Sequence, residues 1–236
     1  MIHTYRFRLS APRSAETAYP LYAALLEHGP KDFAARVHES AVTPVSQHVC
    51  GDLWQVSVFG DDAIKNLAPV LEGLREVRLR RERSTLGLKL EQLRTVGSVE
   101  ELLDAAPIRR GSIRLRTPAA FKSGGSYQLL PTQRLMMQSL LLKWNGCFAD
   151  QCFIEDEGGG LDALAEGLCY RSLELRSAEY AMKRTVIPGV QGTLDFELRH
   201  NDFFSRLASA LLTFGTCSGL GIKTALGMGG MEITTK

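Results

Sequence analysis

The residues best suited to chemistry in this chain are a lysine set among glycines and five histidines. Ser218 to Met231 reads SGLGIKTALGMGGM, with Gly219, Gly221, Gly227, Gly229 and Gly230 around Lys223. Glycine at this density buries no side chain and is costly to order. It suits a place where backbone closely approaches a ligand or another strand. Exposed N–H groups of such a loop can cradle an anion, phosphate being the common case. A plain turn between helix and strand is the alternative, because a glycine pattern out of context is a weak motif. The histidines are His3, His28, His38, His48 and His200. Histidine titrates near neutrality and so suits proton transfer. His3 falls in a strand pattern, His200 precedes a helix start, and His28 sits at a helix stop where a cation complements the helix end. These three read as structural. His48 lies in a strand and can face either way. His38 ends a short helix before the chain turns toward Pro44, so it can project into a cleft; its alternative role is another helix-end cation.

The elements that position these residues follow from hydrophobic period. His3, Tyr5, Phe7 and Leu9 alternate with Thr4, Arg6 and Arg8 as a half-buried strand. Ala18, Leu21, Tyr22 and Leu25 lie at helical spacing, stopped by Gly29-Pro30, and a shorter helix fits Asp32 to Val37. Val45 to Cys50 and Leu53 to Phe59 read as a hairpin turning at Gly51-Asp52. Asp61 and Asp62 can cap a helix through Ile64, Leu67, Ala68 and Leu71 that ends at Gly73. Val77 with Leu79, then Leu86 to Leu90, continue in strand rhythm. Ser98 to Glu101 is a capping box for a short helix that Pro107 closes. The second half repeats the order. A strand through Ile113 and Leu115 reaches Phe121, and Thr132 caps a helix through Met137, Leu140, Leu141 and Trp144. Gly158-Gly159-Gly160 precedes a short helix. Two strands, from Leu173 and through Leu194 to Leu198, flank a Pro188-Gly189 loop. An apolar helix from Phe203 to Phe214 leads to the glycines and a last strand near Ile233. Each half thus reads β-α-β-β-α-β, an α+β chain of two tandem ferredoxin-like units dividing into residues 1–110 and 111–236. This superfold says little about function by itself.

Composition bounds the rest. The 236 residues are 44% hydrophobic and 23% charged, which allows a sizeable core and argues against disorder. The formal net charge of +2 is too weak to imply a polyanion partner. Its distribution says more, since Arg75 to Arg116 holds eleven Lys/Arg against six Asp/Glu, a basic patch or a solvated strand face. Cys50, Cys147, Cys152, Cys169 and Cys217 form no CxxC pair. The Cys147/Cys152 spacing is a poor zinc signature without further ligands, so no metal site is expected, and the odd count, with no signal peptide in view, points to reduced cytoplasmic thiols. The apolar run Leu207 to Ile222 is shorter than the roughly 20 residues a membrane span needs.

GLGIKTALGMGG after an apolar helix resembles the C-terminal glycine-rich signature of the CRISPR-associated RAMP superfamily, and within it the endoribonuclease that cleaves CRISPR repeat RNA. The strand Arg116-Thr117-Pro118-Ala119-Ala120-Phe121, the helix Leu135 to Asn145 after it, and His38 after the first helical region agree with that family. The resemblance implies two ferredoxin-like halves and cleavage without metal or cofactor. The 2′-hydroxyl before the scissile phosphate attacks it, leaving a cyclic phosphate and a 5′-hydroxyl. It implies His38 as the catalytic histidine, with Tyr22 in positioning or proton transfer; a core aromatic is the other reading of Tyr22. Family members often carry a lysine soon after the histidine. Glu39 to Ser46 holds none, which leaves Lys31 and Arg36 as stand-ins. RNA offers phosphates, 2′-hydroxyls and stackable bases. The expected contacts are Gly219, Gly221, Lys223, Gly227 and Gly229. Arg114, Arg116 and Lys122 with the Ser123-Gly124-Gly125 turn form a second surface, and Arg78, Arg80 and Arg81 a third. Repeat RNA is the expected partner, with other CRISPR effector subunits and a second copy of the chain as further candidates, and no membrane. A non-cleaving RAMP protein that binds guide RNA, or an unrelated tandem ferredoxin-like protein holding a phosphate ligand, remains open at this point.

Overall fold

The computed structural model describes residues 1–40, 42–79, 83–151, 159–182, 185–199 and 201–236, with the side chains of His38 and Ala149 also outside the description. Arg80, Arg81, Cys152, Gly158 and His200, all singled out above, lie outside the described residues. The chain forms two four-stranded antiparallel sheets with helices packed on them, as expected for tandem ferredoxin-like halves.

The first half runs β1 (Ile2–Arg13), α1 (Ala18–His28), α2 (Lys31–Glu39), β2 (Val45–Phe59), α3 (Asp61–Gly73), β3 (Glu76–Leu79), β4 (Ser84–Val96) and α4 (Glu100–Asp104). Alternation along β1 sends Tyr5, Phe7 and Leu9 into a core. There they meet Trp54 and Val56 of β2, Leu21 and Leu25 of α1, and Leu67 and Leu71 of α3. Phe7 stacks on Trp54 at 5.0 Å between ring centroids.

The second half runs β5 (Arg110–Ala119), β6 (Phe121–Ser123), β7 (Ser126–Gln128), α5 (Gln133–Cys147), α6 (Gly160–Gly167), β8 (Leu168–Met182), β9 (Thr185–Leu198), α7 (Asp202–Ser218) and β10 (Met231–Thr235). Its sheet order β10-β5-β9-β8 is the ferredoxin-like order. Thr132 caps α5 by accepting the Leu135 N–H, and Asn201 caps α7 by accepting that of Phe204.

Four local expectations are corrected. The strands expected on either side of Gly51 are one continuous β2, so the first sheet has the order β2-β1-β4-β3, with β3 as an added edge. Gly51 adopts φ +62° where the register with β1 is irregular, so it serves a bulge rather than a reversal. Pro188 and Gly189 lie inside β9, opposite Glu179 and Ala178. Among the described residues, Pro188 sits beyond Val190, the last residue of β9 paired with β5, where a missing N–H is tolerated. The N-cap of α3 is Gly60, and Asp61 and Asp62 occupy the first turn, where negative charge complements the helix dipole. The strand expected to reach Phe121 ends at Ala119, and Phe121 instead opens a small β6–β7 hairpin.

The halves are tied through α7, the glycine stretch and β2. Phe214 of α7 packs edge-on against Phe59 of β2, and Gln55 donates to the Thr216 carbonyl at 2.8 Å. Gln47, buried in β2, donates to the Ala225 carbonyl at 2.9 Å and to that of Ala18 at 2.7 Å. From the other side, the Tyr180 hydroxyl donates toward the Leu226 and Ala15 carbonyls.

Candidate nucleic-acid interface and active site

Where the halves meet, a cleft of about 1060 Å³ opens. Its first-half wall is built by α1, α2 and the segment leading into β2; its second-half wall comes chiefly from α5 and the turn after α7.

Tyr22 enters the cleft from α1, one turn before Leu25 fills the core behind it. It is 8% exposed. Burial pushes its phenol up to about 12, with a Thr43 hydrogen bond working the other way. The hydroxyl is therefore protonated at neutral pH and can position an oxygen by hydrogen bonding. Glu39, not His38, is the last residue of α2, so His38 sits in the final turn. Val37 and Ser40 on either side of it line the cleft. Of the two stand-in cations, Lys31 lines the cleft. Arg36 does not; it pairs with Asp62 at 2.9 Å and lies over the Phe33 ring.

The glycine stretch is more enclosed than its composition suggests. All five glycines are buried. The N–H of Gly219 goes to Gly215, that of Gly221 to the Ser139 hydroxyl, that of Gly227 to Thr224, that of Gly229 to Pro118, and that of Gly230 to the Thr117 hydroxyl. The cradle reading is corrected in this respect, because no glycine N–H is left for a phosphate. The close approach inferred from the glycines is instead an approach to protein. Gly229, at φ +67°, lies against the Leu220 carbonyl so tightly that a Cβ would overlap it. What the stretch presents is Lys223, exposed, at φ +57°, at the mouth of the cleft ahead of the turn Thr224–Leu226. A lysine held in the left-handed region is an uncommon, mildly strained arrangement.

The other sequence-based candidates are dispersed. Arg114 is exposed on the outer face of β5, beside a shallow hollow that also includes Arg176. Arg116, half-buried, contacts the Cys50 thiol at 3.2 Å and lies 3.7 Å from Glu232. Lys122 projects from the exposed β6–β7 hairpin. None of the three lines the cleft. His48 is buried, and Gly230 packs onto its ring. Burial, with Arg6 and Arg116 nearby, pushes its pKa down to about 4, so it is neutral at physiological pH. His3 reaches the Tyr5 hydroxyl at 3.3 Å, and His28 Nδ1 donates to the Ala24 carbonyl at 2.7 Å.

One cleft residue escapes sequence reasoning. Lys143 lies on the polar stripe Ser139, Lys143, Cys147 of α5, a spacing of four that sets them on one helix face. Its Nζ donates to the carbonyls of Ser218 at 3.1 Å and Gly219 at 3.0 Å, at the end of α7. The Ser46 hydroxyl, from β2, donates to the same Ser218 carbonyl at 2.7 Å. Burial lowers the Lys143 pKa to about 7. A lysine four residues from both Ser139 and Cys147, on one face of a helix rich in apolar residues, was the available signal. Among the described residues, no three of His, Cys, Asp and Glu are grouped to hold a metal ion.

The model for the CRISPR-associated endoribonuclease Cas6 family matches residues 113–231, just over half of the chain. This chain belongs to the Cas6 family. The Cas6 endoribonuclease of Streptococcus thermophilus is 29% identical over 241 residues, covering 99% of this chain and 97% of that protein. That of Mycobacterium tuberculosis is 27% identical, covering 95% and 74%. The fold is shared with a Cas6 solved as a product complex, at TM-score 0.79 and 23% identity over the whole of both chains. Thermus thermophilus Cas6 superposes at TM-score 0.69 and 23% identity, over 99% of this chain and 97% of that one. The family match spans β5 to the glycine stretch, the segment that carries the most specific resemblance in the sequence. No described helix is long and apolar enough to cross a membrane.

Proposed function

We propose that this Cas6-family endoribonuclease cuts CRISPR precursor RNA within its repeats, in the cleft between its halves, by 2′-hydroxyl attack. The observation that carries the reading is the convergence on one cleft of Tyr22, the α2 turn around His38, and Lys223. In this mechanism His38 takes the proton of the 2′-hydroxyl as the oxygen attacks phosphorus. The bond from phosphorus to the 5′-oxygen breaks, that oxygen leaves with a proton, and a cyclic phosphate remains. Such a step needs a base within reach and positive charge on the phosphate. Tyr22, held protonated, orients a phosphate or ribose oxygen by donating a hydrogen bond. Lys223 meets the RNA backbone as a point charge, and the glycines beneath it act by fixing that lysine rather than by touching RNA. Arg114, Arg116 and Lys122 extend the contact across the second half. The division into residues 1–110 and 111–236 belongs to the same proposal.

Solved Cas6 relatives include product and substrate-mimic complexes and a histidine-to-alanine variant, which supports RNA as the ligand and a histidine as the group worth removing. Labelled repeat RNA incubated with the protein in excess EDTA tests the reading. Cleavage at one position is expected. Tight binding with the RNA left intact would favour a non-cleaving guide-RNA binder, and no binding at moderate salt would overturn both.

A further inference from the structure

We propose that Lys143 is the cation that stabilises the scissile phosphate, reaching the cleft from the half of the molecule opposite His38. The inference rests on the repeat-RNA cleavage reading above and adds to it a residue from α5. Among the described residues, the cationic lining of the cleft consists of Lys31, Lys143 and Lys223. Lys31 and Lys223 are exposed, and water screens them. Lys143 is half-buried and its ammonium is held on two carbonyls, and a charge partly withdrawn from water acts more strongly on a neighbouring anion.

Its placement follows from packing. Near the end of α5, Gly146 meets the Val42 side chain so closely that a methyl group would overlap it. That contact sets the last turns of α5 against the segment just after α2, so Lys143, one turn earlier, lines the same cleft as Val37, Ser40 and Tyr22. An ammonium has three N–H donors. Two are used by the Ser218 and Gly219 carbonyls, which hold Nζ in place. Among the described residues no partner takes the third. A held ammonium with one donor to spare suits a nonbridging phosphate oxygen.

In the reaction Lys143 keeps its proton. The new bond joins the 2′-oxygen to phosphorus, the 2′-hydroxyl proton goes to His38, and the departing 5′-oxygen takes its proton from water. Lys143 meets the charge that builds on the phosphate in between. Among the described residues, the ionisable groups around it are Cys147 on its own helix and Tyr19, Tyr22, Glu27, Lys31 and Lys223 from the other walls of the cleft. Burial that lowers its pKa to about 7 is opposed when an anion binds beside it.

A structural alternative, in which Lys143 only ties α5 to the end of α7, is separated by two variants. Lys143→Gln keeps two N–H donors for the Ser218 and Gly219 carbonyls and removes the charge. Lys143→Arg keeps the charge. Single-turnover cleavage of repeat RNA, binding of an uncleavable RNA with a 2′-deoxy residue at the cut site, and thermal melting are measured for each. Lys143→Gln is expected to slow cleavage by about 10²–10³ with binding and melting close to wild type, and Lys143→Arg to cut within about tenfold of wild type. Wild-type cleavage by Lys143→Gln, or a loss of rate matched by an equal loss of binding, overturns the proposal. One further arm needs no variant. Sulfur in place of each nonbridging oxygen at the cut site should slow the wild-type protein for one stereoisomer, and equal full rates for both contradict a directed lysine contact. Failure of the wild-type protein to cut repeat RNA at all would refute the cleavage reading itself, a result distinct from any of these.

Discussion

The two walls of the cleft are built on different terms. The second-half wall, from α5 through α7 to the glycine stretch, is tied together largely by its own hydrogen bonds. The N–H groups of Gly221, Gly229 and Gly230 all end on protein oxygens, as do two donors of Lys143. The first-half wall, α1 and α2, offers side chains instead: Tyr22, Lys31 and the turn around His38. The family match covers the first of these walls and leaves the other out. The difference teaches that the most recognisable motif in a chain can be architecture. The glycine signature marks the family because few residues other than glycine fit it, and the proton transfer is assigned across the cleft, to the turn around His38.

Breaking the comparison at its reactive side should have the largest effect. His38→Ala is expected to lower the cleavage rate by about 10²–10⁴ while repeat-RNA binding stays within a few fold, as read by single-turnover kinetics and filter binding. Full activity would move the chemistry away from α2. Breaking the architectural side should look different. Gly229→Ala places a side chain at φ +67° against the Leu220 carbonyl, and a left-handed conformation plus overpacking costs about 2–5 kcal/mol. Denaturant unfolding should show that loss, with binding and cleavage falling together. A variant that folds normally and loses only RNA binding would make Gly229 a contact and erase the distinction between the walls.

Acid tests the seam behind the cleft, where Gly230 packs onto the buried His48 ring. The folded-state pKa of His48, about 4, is below its ordinary value. The unfolded chain therefore binds the extra proton between roughly pH 6.5 and 4, and stability present above 6.5 is lost as the pH falls through that window. The loss is on the order of 3 kcal/mol. Urea unfolding at pH 7 and pH 4.5 should resolve it, and His48→Gln should show a smaller difference between the two. An unchanged difference in that variant would place the acid sensitivity elsewhere. The smallest expected effect lies at the tip of the glycine stretch. Lys223→Glu should weaken binding roughly tenfold for any RNA sequence and flatten the salt dependence by about one charge. Unaltered binding would remove Lys223 from the interface.

The same contrast explains how far the sequence could be read. Helices and strands with one apolar face, such as α1, α3, α5 and β1, were legible because period alone sets which face is buried. Gly51 was misread because a left-handed glycine in a bulge and one in a hairpin have the same local signature; the partner strand Leu9 to Arg13 decides between them. Pro188 was misread because tolerance of proline depends on how far the β5 pairing of β9 extends. The glycine density correctly announced close backbone approach, although it carries no record of what is approached. Tyr22 and the α2 turn at His38 were placed from local pattern, and the cleft brings them together. Lys143 stayed hidden because its role depends on α5, the end of α7 and Ser46 of β2 meeting at one point, and no local pattern encodes that meeting.

The most direct measurement is the chemistry of the cut ends. Repeat RNA, and the same RNA with a single 2′-deoxy residue before the cut site, are incubated with the protein in excess EDTA, and the products are analysed for their termini. The account predicts one cut in the unmodified RNA, a cyclic phosphate and a 5′-hydroxyl at its ends, and an intact 2′-deoxy RNA. Cleavage of the 2′-deoxy substrate, or cleavage that appears only when a divalent metal is supplied, would contradict it.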